Sequence, residues 1–218
     1  MALTLTTPFV IPIALASHPD AATLNPELRK LFLDKEAQGA RYANPRATMK
    51  IGGGLFESRF DLFNWPDAPI RRLRDFCWEN LYSLIFQLSQ YDQAALRKMQ
   101  GHSDAWFHIT RRGGGFGMHN HPMASWSGVY CVDDGASDSD RPDSGLLSFP
   151  NPLALASMFV DAGNGKLKMP YNASTREYRL VPGQLVLFPS WLMHQVTTFH
   201  GEGTRITVAF NAWFTMDN

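Results

Sequence analysis

Cysteine is scarce in this chain: Cys77 and Cys131 are the only two among 218 residues. Two cysteines build no disulfide framework, so a reduced, cytoplasmic setting is the simpler expectation. An excess of one charge is lacking too, since Lys plus Arg number 20 and Asp plus Glu number 20. A binder of nucleic acid or of anionic membranes needs a basic excess, so neither partner is expected. No run of about 18 apolar residues occurs, so no membrane span is expected. The apolar stretch from Pro8 to Ala16 is interrupted by Pro12 and has no Lys or Arg before it. It reads as an extended strand rather than a secretory leader. Internal repeats are absent, as are a Gly-x-Ser-x-Gly elbow and a glycine loop followed by Lys-Ser/Thr.

What is present is material for a core: 44% of residues are apolar and only 18% charged. Asn25-Pro26-Glu27 carries a helix-start signal, followed by a stripe at Leu28, Leu31 and Phe32. A second helix is expected from about Asp67, with Ile70, Leu73, Cys77, Leu81, Leu84, Ile85 and Leu88 spaced by threes and fours. Asp92 to Met99 reads as a short third helix. Past Gly101 the period changes to two. Strands are expected at Ala105–Arg111, Ser125–Val132, Gly145–Phe149, Glu177–Val181, Gln184–Phe188, His194–Phe199 and Thr204–Phe214. Pro182-Gly183 signals a tight turn, Gly113-Gly114-Gly115 a hairpin bend, and Asp133–Ser144 an acidic surface loop. Helices followed by many short strands predict an α+β chain, mainly β, closed into a sandwich, jelly roll or barrel. One domain over 1–218 is expected. Its residues 1–100 either buttress a core at 101–218 or form a homodimer surface.

Chemistry concentrates at three places. In His119-Asn120-His121, positions i and i+2 of a strand share a face, so two imidazoles can address one metal. His194 follows an apolar strand in Pro189-Ser190-Trp191-Leu192-Met193-His194 and is a candidate third ligand. Arg205 opens a strand on which Arg205, Thr207, Ala209, Asn211 and Trp213 share one face, and it can take a carboxylate in bidentate fashion. Each feature also has a plain structural explanation: solvent-facing histidines at a strand end, a packed histidine, a surface arginine. Together they describe a metal held by three protein ligands beside a carboxylate clamp. His108 alternates with Trp106 and Thr110 and is either packed or turned toward that site.

These residues resemble the non-haem iron, 2-oxoglutarate-dependent oxygenases, specifically the bacterial and phage 2-oxoglutarate/iron(II) oxygenase group. The likeness covers about residues 105–211. Its specific parts are Phe188 to Val196 and Arg205 to Asn211; Met118 to Pro122, Ser127 to Tyr130 and Gly145 to Phe149 add to it, and Ile51–Phe63 matches more weakly. The resemblance implies a double-stranded β-helix (jelly roll) with N-terminal helices packed on it. It implies iron(II) held by His119, His121 and His194, with His121 where the wider superfamily has Asp or Glu. That substitution leaves zinc or nickel open as the resident metal. It further implies that 2-oxoglutarate chelates the metal while Arg205 holds its distal carboxylate, helped by Tyr130 or Thr207, with Asn211 nearby. The implied reaction is O2-dependent hydroxylation of a small-molecule or peptidyl substrate.

Two other classes compete. A cupin-like metalloprotein that does not use 2-oxoglutarate shares the H-x-H and the distant histidine, but the cupin glutamate is missing after His121 and Arg205 is extra. A non-catalytic jelly-roll binding module needs none of these side chains.

Overall fold

A computed structural model describes residues 3–47, 49–136, 140–155 and 159–216. Among the described residues eleven strands form two sheets, and every pairing between them is antiparallel. In chain order they are β1 (Ala14–Ser17), β2 (Lys50–Ile51), β3 (Leu55–Glu57), β4 (Met99–Thr110), β5 (Gly115–His119), β6 (Trp126–Asp134), β7 (Leu147–Phe149), β8 (Arg176–Tyr178), β9 (Gln184–Pro189), β10 (His194–Val196) and β11 (Arg205–Met216). The larger sheet runs β1-β9-β6-β11-β4-β3 and the smaller β2-β5-β10-β7-β8. From β4 onward the strands alternate between the sheets in the jelly-roll manner, except that β7 and β8 pair with each other in the smaller one, and this confirms the expected fold class.

Three helices precede this core: α1 (Ala21–Glu36), α2 (Ala68–Leu88) and α3 (Gln93–Lys98). The expected stripe on α2 is real, since Ile70, Leu73, Cys77, Leu81 and Ile85 are buried. They pack with Leu24, Leu28 and Phe32 of α1 against the outer face of the larger sheet. A strand alternates its side chains between faces, so that outer face takes Ala105, Phe107 and Ile109 of β4 and Ile206, Val208, Phe210 and Ala212 of β11. At Gly128 on β6 a Cβ would lie 2.3 Å from the Phe210 ring, so only glycine lets that ring close over the strand. A second cluster lies between the sheets and includes Cys131, Leu147, Phe149, Val186, Phe188 and Leu192.

Local expectations changed in three places. The Asn25-Pro26 signal lies inside α1, not at its start. One further turn forms upstream, where the Thr23 and Leu24 N–H groups donate to the Asp20 carbonyl. The glycines at 113–115 make no hairpin, because β4 and β5 belong to different sheets. Gly113, at φ +88°, instead carries the chain from one sheet to the other, with its N–H donating to Phe199 O. Pro182-Gly183 does make its tight turn, closed by Gln184 N–H to Val181 O at 3.0 Å. The strand expected within Pro8 to Ala16 is confined to Ala14–Ser17. Part of the Asp133–Ser144 loop lies outside the described residues. Among the described residues no helix is long and apolar enough to cross a membrane.

Candidate metal centre

His119 ends β5 and His194 opens β10, and the two are direct partners across that antiparallel pair. Opposed residues put their side chains on the same side, and the two rings lie 4.3 Å apart between centroids. His121 lies two residues past the end of β5, so it does not reach the site by strand alternation as expected. A turn brings it there: its N–H donates to Ser190 O at 2.9 Å and its carbonyl accepts from Ala124. One ring nitrogen from each of the three histidines lies within 4.8 Å of the others.

The backbone sets which nitrogen each ring offers. His119 Nδ1 is 2.7 Å from Gly117 O, and His194 Nδ1 is 2.9 Å from Leu192 O. A carbonyl only accepts, so each Nδ1 carries its proton and each Nε2 presents a lone pair. Burial, helped by neighbouring His119, pushes His121 down to about 4. The same causes push His194 down to about 3. Both are neutral near pH 7, as a metal ligand must be. Among the described residues no carboxylate or cysteine joins the cluster. A three-imidazole donor set suits divalent iron, nickel or zinc.

Across the cavity from the histidines, β11 turns Arg205, Thr207, Ala209 and Asn211 inward. Arg205 is 5% exposed. Its stem passes over Gly145, where a Cβ would lie 3.4 Å from Arg205 Cδ. Among the described residues no carboxylate oxygen lies within 4.0 Å of its guanidinium. Its direct partner on β4 is Thr110, whose buried Oγ1 has no hydrogen-bond partner. An unpaired buried arginine beside an orphaned hydroxyl costs stability unless an anionic guest completes both. A dicarboxylate that reaches from the histidines to Arg205 meets that need, so the residues fit 2-oxoglutarate.

The residues tied by resemblance to the co-substrate divide. Thr207 lies on the cavity wall. Asn211 does too, but its Oδ1 accepts from Ser127 Oγ at 2.8 Å, and Ser127 meets Ser190 at 2.8 Å. Asn211 therefore braces the turn that holds His121. Tyr130 does not reach the site, which corrects the expectation. It opposes Val208 on β11, belongs to the helix-side core, and donates its hydroxyl to Asn25 Oδ1 at 2.7 Å. His108 faces the cavity, with Nε2 at 2.9 Å from Trp106 Nε1 and 3.0 Å from Glu57 Oε2.

The cavity holds about 440 Å³. Phe116, Leu147, Phe188 and Val196 form its apolar inner lining, while Asn44, Arg46, Met49, Glu57 and Phe60 form a wall from the N-terminal part of the chain. Sequence reasoning missed that wall and the role open to Thr110. The only signal for either was an acid between Phe56 and Ser58, and a threonine in step with His108.

Residues 104–211 match the family model described as "Putative 2OG-Fe(II) oxygenase". Over that span the chain matches the 2-oxoglutarate/iron(II) oxygenases, oxidoreductases whose cofactor is iron(II) and whose co-substrate is 2-oxoglutarate, and its three histidines suit that metal. Among curated proteins none matches by sequence. Solved structures share the fold at low identity. A Pseudomonas putida prolyl-4-hydroxylase is 16% identical, with 94% of this chain and 93% of that one covered and a TM-score of 0.59. A prolyl hydroxylase from Trichoplax adhaerens, in complex with a hypoxia inducible factor peptide fragment, is 12% identical over 92% and 83%, at 0.58. HygX from Streptomyces hygroscopicus, with nickel, 2-oxoglutarate and hygromycin B bound, is 11% identical over 93% and 83%, at 0.52.

Proposed function

We propose that this chain is a hydroxylase in which His119, His121 and His194 hold iron(II). Arg205, with Thr110 beside it, holds the distal carboxylate of 2-oxoglutarate. One observation carries the reading: three convergent imidazoles line the same cavity as a buried arginine that has no acid partner among the described residues. When bound, iron(II) with 2-oxoglutarate and O2 supplies the oxidising power to hydroxylate a C–H bond.

The protein's own contribution is positional. The Gly117 and Leu192 carbonyls fix the tautomers of His119 and His194 before metal arrives. The Asn211–Ser127–Ser190 chain steadies the segment from which Ser190 O holds the His121 N–H. Arg205 and Thr110 orient the co-substrate by its far end, and Thr207 flanks it. Phe116, Leu147, Phe188 and Val196 keep water from the reacting centre. Residues 1–218 act as one domain, with 1–100 buttressing the catalytic core. The prime substrate is a small molecule or a peptide side chain, since relatives of this fold were solved with either kind. Two free, buried cysteines are consistent with a cytoplasmic location.

Anaerobic titration of the iron(II)-loaded protein with 2-oxoglutarate tests the reading. A weak visible charge-transfer band is expected in the wild type and absent in Arg205→Ala. One metal bound per chain with no band in either protein overturns the co-substrate assignment.

A further inference from the structure

Resting on the reading above, we propose that Glu57 selects the prime substrate and that this substrate presents a cationic amine to it. Glu57 lies on β3, directly opposite His108 of β4, and lines the same cavity as the three histidines. It falls outside the span of the family match, 104–211.

Its side chain is only 10% exposed. Burial alone would raise its pKa, but hydrogen bonds from His108 and Asn44, with the charge of Lys50, outweigh that and hold the carboxyl below its ordinary range. His108 moves down as well, because its burial outweighs the pull of Glu57. Near neutral pH the pair is therefore a carboxylate beside a neutral imidazole, and it carries a net negative charge. Among the described residues no Lys or Arg nitrogen lies within 4.0 Å of Glu57. Lys50 turns its ammonium toward Leu55 O, at 3.4 Å. Arg46 is exposed on the rim, and Arg205 lies two strands away on β11. A buried charge left without a counter-ion is costly, and such groups cluster at functional sites.

The hydrogen bonds of the Trp106–His108–Glu57 group are also one short. Oε1 accepts from Asn44 Nδ2 at 2.6 Å. Oε2 faces His108 Nε2, but the same nitrogen faces the Trp106 indole N–H. One imidazole nitrogen either accepts from Trp106 or donates to Glu57, never both. When it donates to Glu57, the Trp106 N–H is the group left short. When it accepts from Trp106, Glu57 Oε2 takes its donor from a guest, and Asn44 with Lys50 still favours the carboxylate. Beside it, Trp106 and Phe60 form an aromatic wall with ring centroids 4.4 Å apart. An anion next to aromatic faces is the environment that a substituted ammonium prefers.

The test compares two probes of one shape, benzylamine and benzyl alcohol. Calorimetry measures their binding to the metal-free, full-length protein near neutral pH, where benzylamine is protonated. The wild type is expected to bind the amine about tenfold more tightly, the ratio for a charge-assisted bond over a neutral one. Glu57→Gln is expected to bring the ratio close to one, and Glu57→Asp to keep most of it. Equal affinities in the wild type overturn the proposal without any variant. So does a preference that survives Glu57→Gln, or a loss in Glu57→Asp as complete as in Glu57→Gln, which would assign the effect to packing. Separately, 2-oxoglutarate is titrated into nickel-loaded wild type. Binding there with no amine preference overturns this inference alone, while an amine preference without 2-oxoglutarate binding overturns the oxygenase reading instead.

Discussion

The two faces of the larger sheet are built from the same strands and do opposite work. On β4 and β11, Phe107, Ile109, Ile206 and Val208 turn outward to the helices, while Trp106, His108, Arg205 and Thr207 turn inward to the cavity. The outer face is apolar and its value is volume: it holds the fold by removing surface from water. The inner face keeps an arginine with no acid partner among the described residues, an unpartnered hydroxyl and the buried imidazole of His108, each a cost until a guest completes it. Residue parity along one strand therefore separates what stabilises the chain from what it does. Single substitutions on alternate positions should break one property and spare the other.

The largest effect is expected on the outer face. Phe107 is fully buried and stacks on Phe32 at 4.3 Å between centroids. Phe107→Ala should cost about 3–5 kcal/mol of unfolding free energy, measured by urea titration. Metal stoichiometry should be retained well below the midpoint. On the inner face, Arg205→Ala should weaken 2-oxoglutarate binding on the order of a hundredfold by calorimetry, about 2.7 kcal/mol for a lost charge-assisted pair. Its unfolding midpoint should stay level or rise, because the removed charge has no acid partner among the described residues.

A pH series sharpens the comparison. His121 and His194 have folded pKa values of about 4 and about 3, below the ordinary histidine value. Both are neutral when folded and gain a proton when unfolded in mild acid. Their contribution is thus complete above about pH 6.5 and is lost as pH falls toward about 4. The metal-free wild type should lose about 1–3 kcal/mol between pH 7 and 5, and His194→Phe should lose less. Nickel should move the loss to lower pH by competing with protons. The smallest effect is expected at Thr110→Val, which removes an orphaned hydroxyl at constant shape. It should raise stability by up to about 1 kcal/mol and weaken 2-oxoglutarate by about threefold to tenfold. A Thr110→Val protein that loses stability would show that its hydroxyl is already satisfied.

The strands that carry the site were legible because β-branched and aromatic residues alternate along them. On β11 period two alone groups Arg205, Thr207, Ala209 and Asn211 on one face, and the structure turns that face inward. β5 was harder, since Gly115-Phe116-Gly117-Met118-His119 has no β-branched residue, and only the pair His119 and His121 marked it. Tyr130 was misplaced because periodicity does not say which parity faces inward. That is fixed by the pairing of β6 with β11, which slips between Ile206 and Thr207. Glu57 was not readable, because its strand spans three residues in a glycine-rich stretch and its role depends on partners at 44, 106 and 108.

The wall segment has ends that meet. Ala43 bridges to Ser58, Asn44 N–H donates to Glu57 O, and Arg59 N–H donates to Tyr42 O. A loop clasped in this way can change length or content at little entropic cost, because its ends remain where they were. His119, His194 and Arg205 sit on strands outside the clasp, and His121 on the turn after β5. This makes the cavity-facing side chains between 43 and 58 a place where selectivity can vary: changing them alters what the cavity admits, while β2 and β3 keep their pairing to β5 and β4.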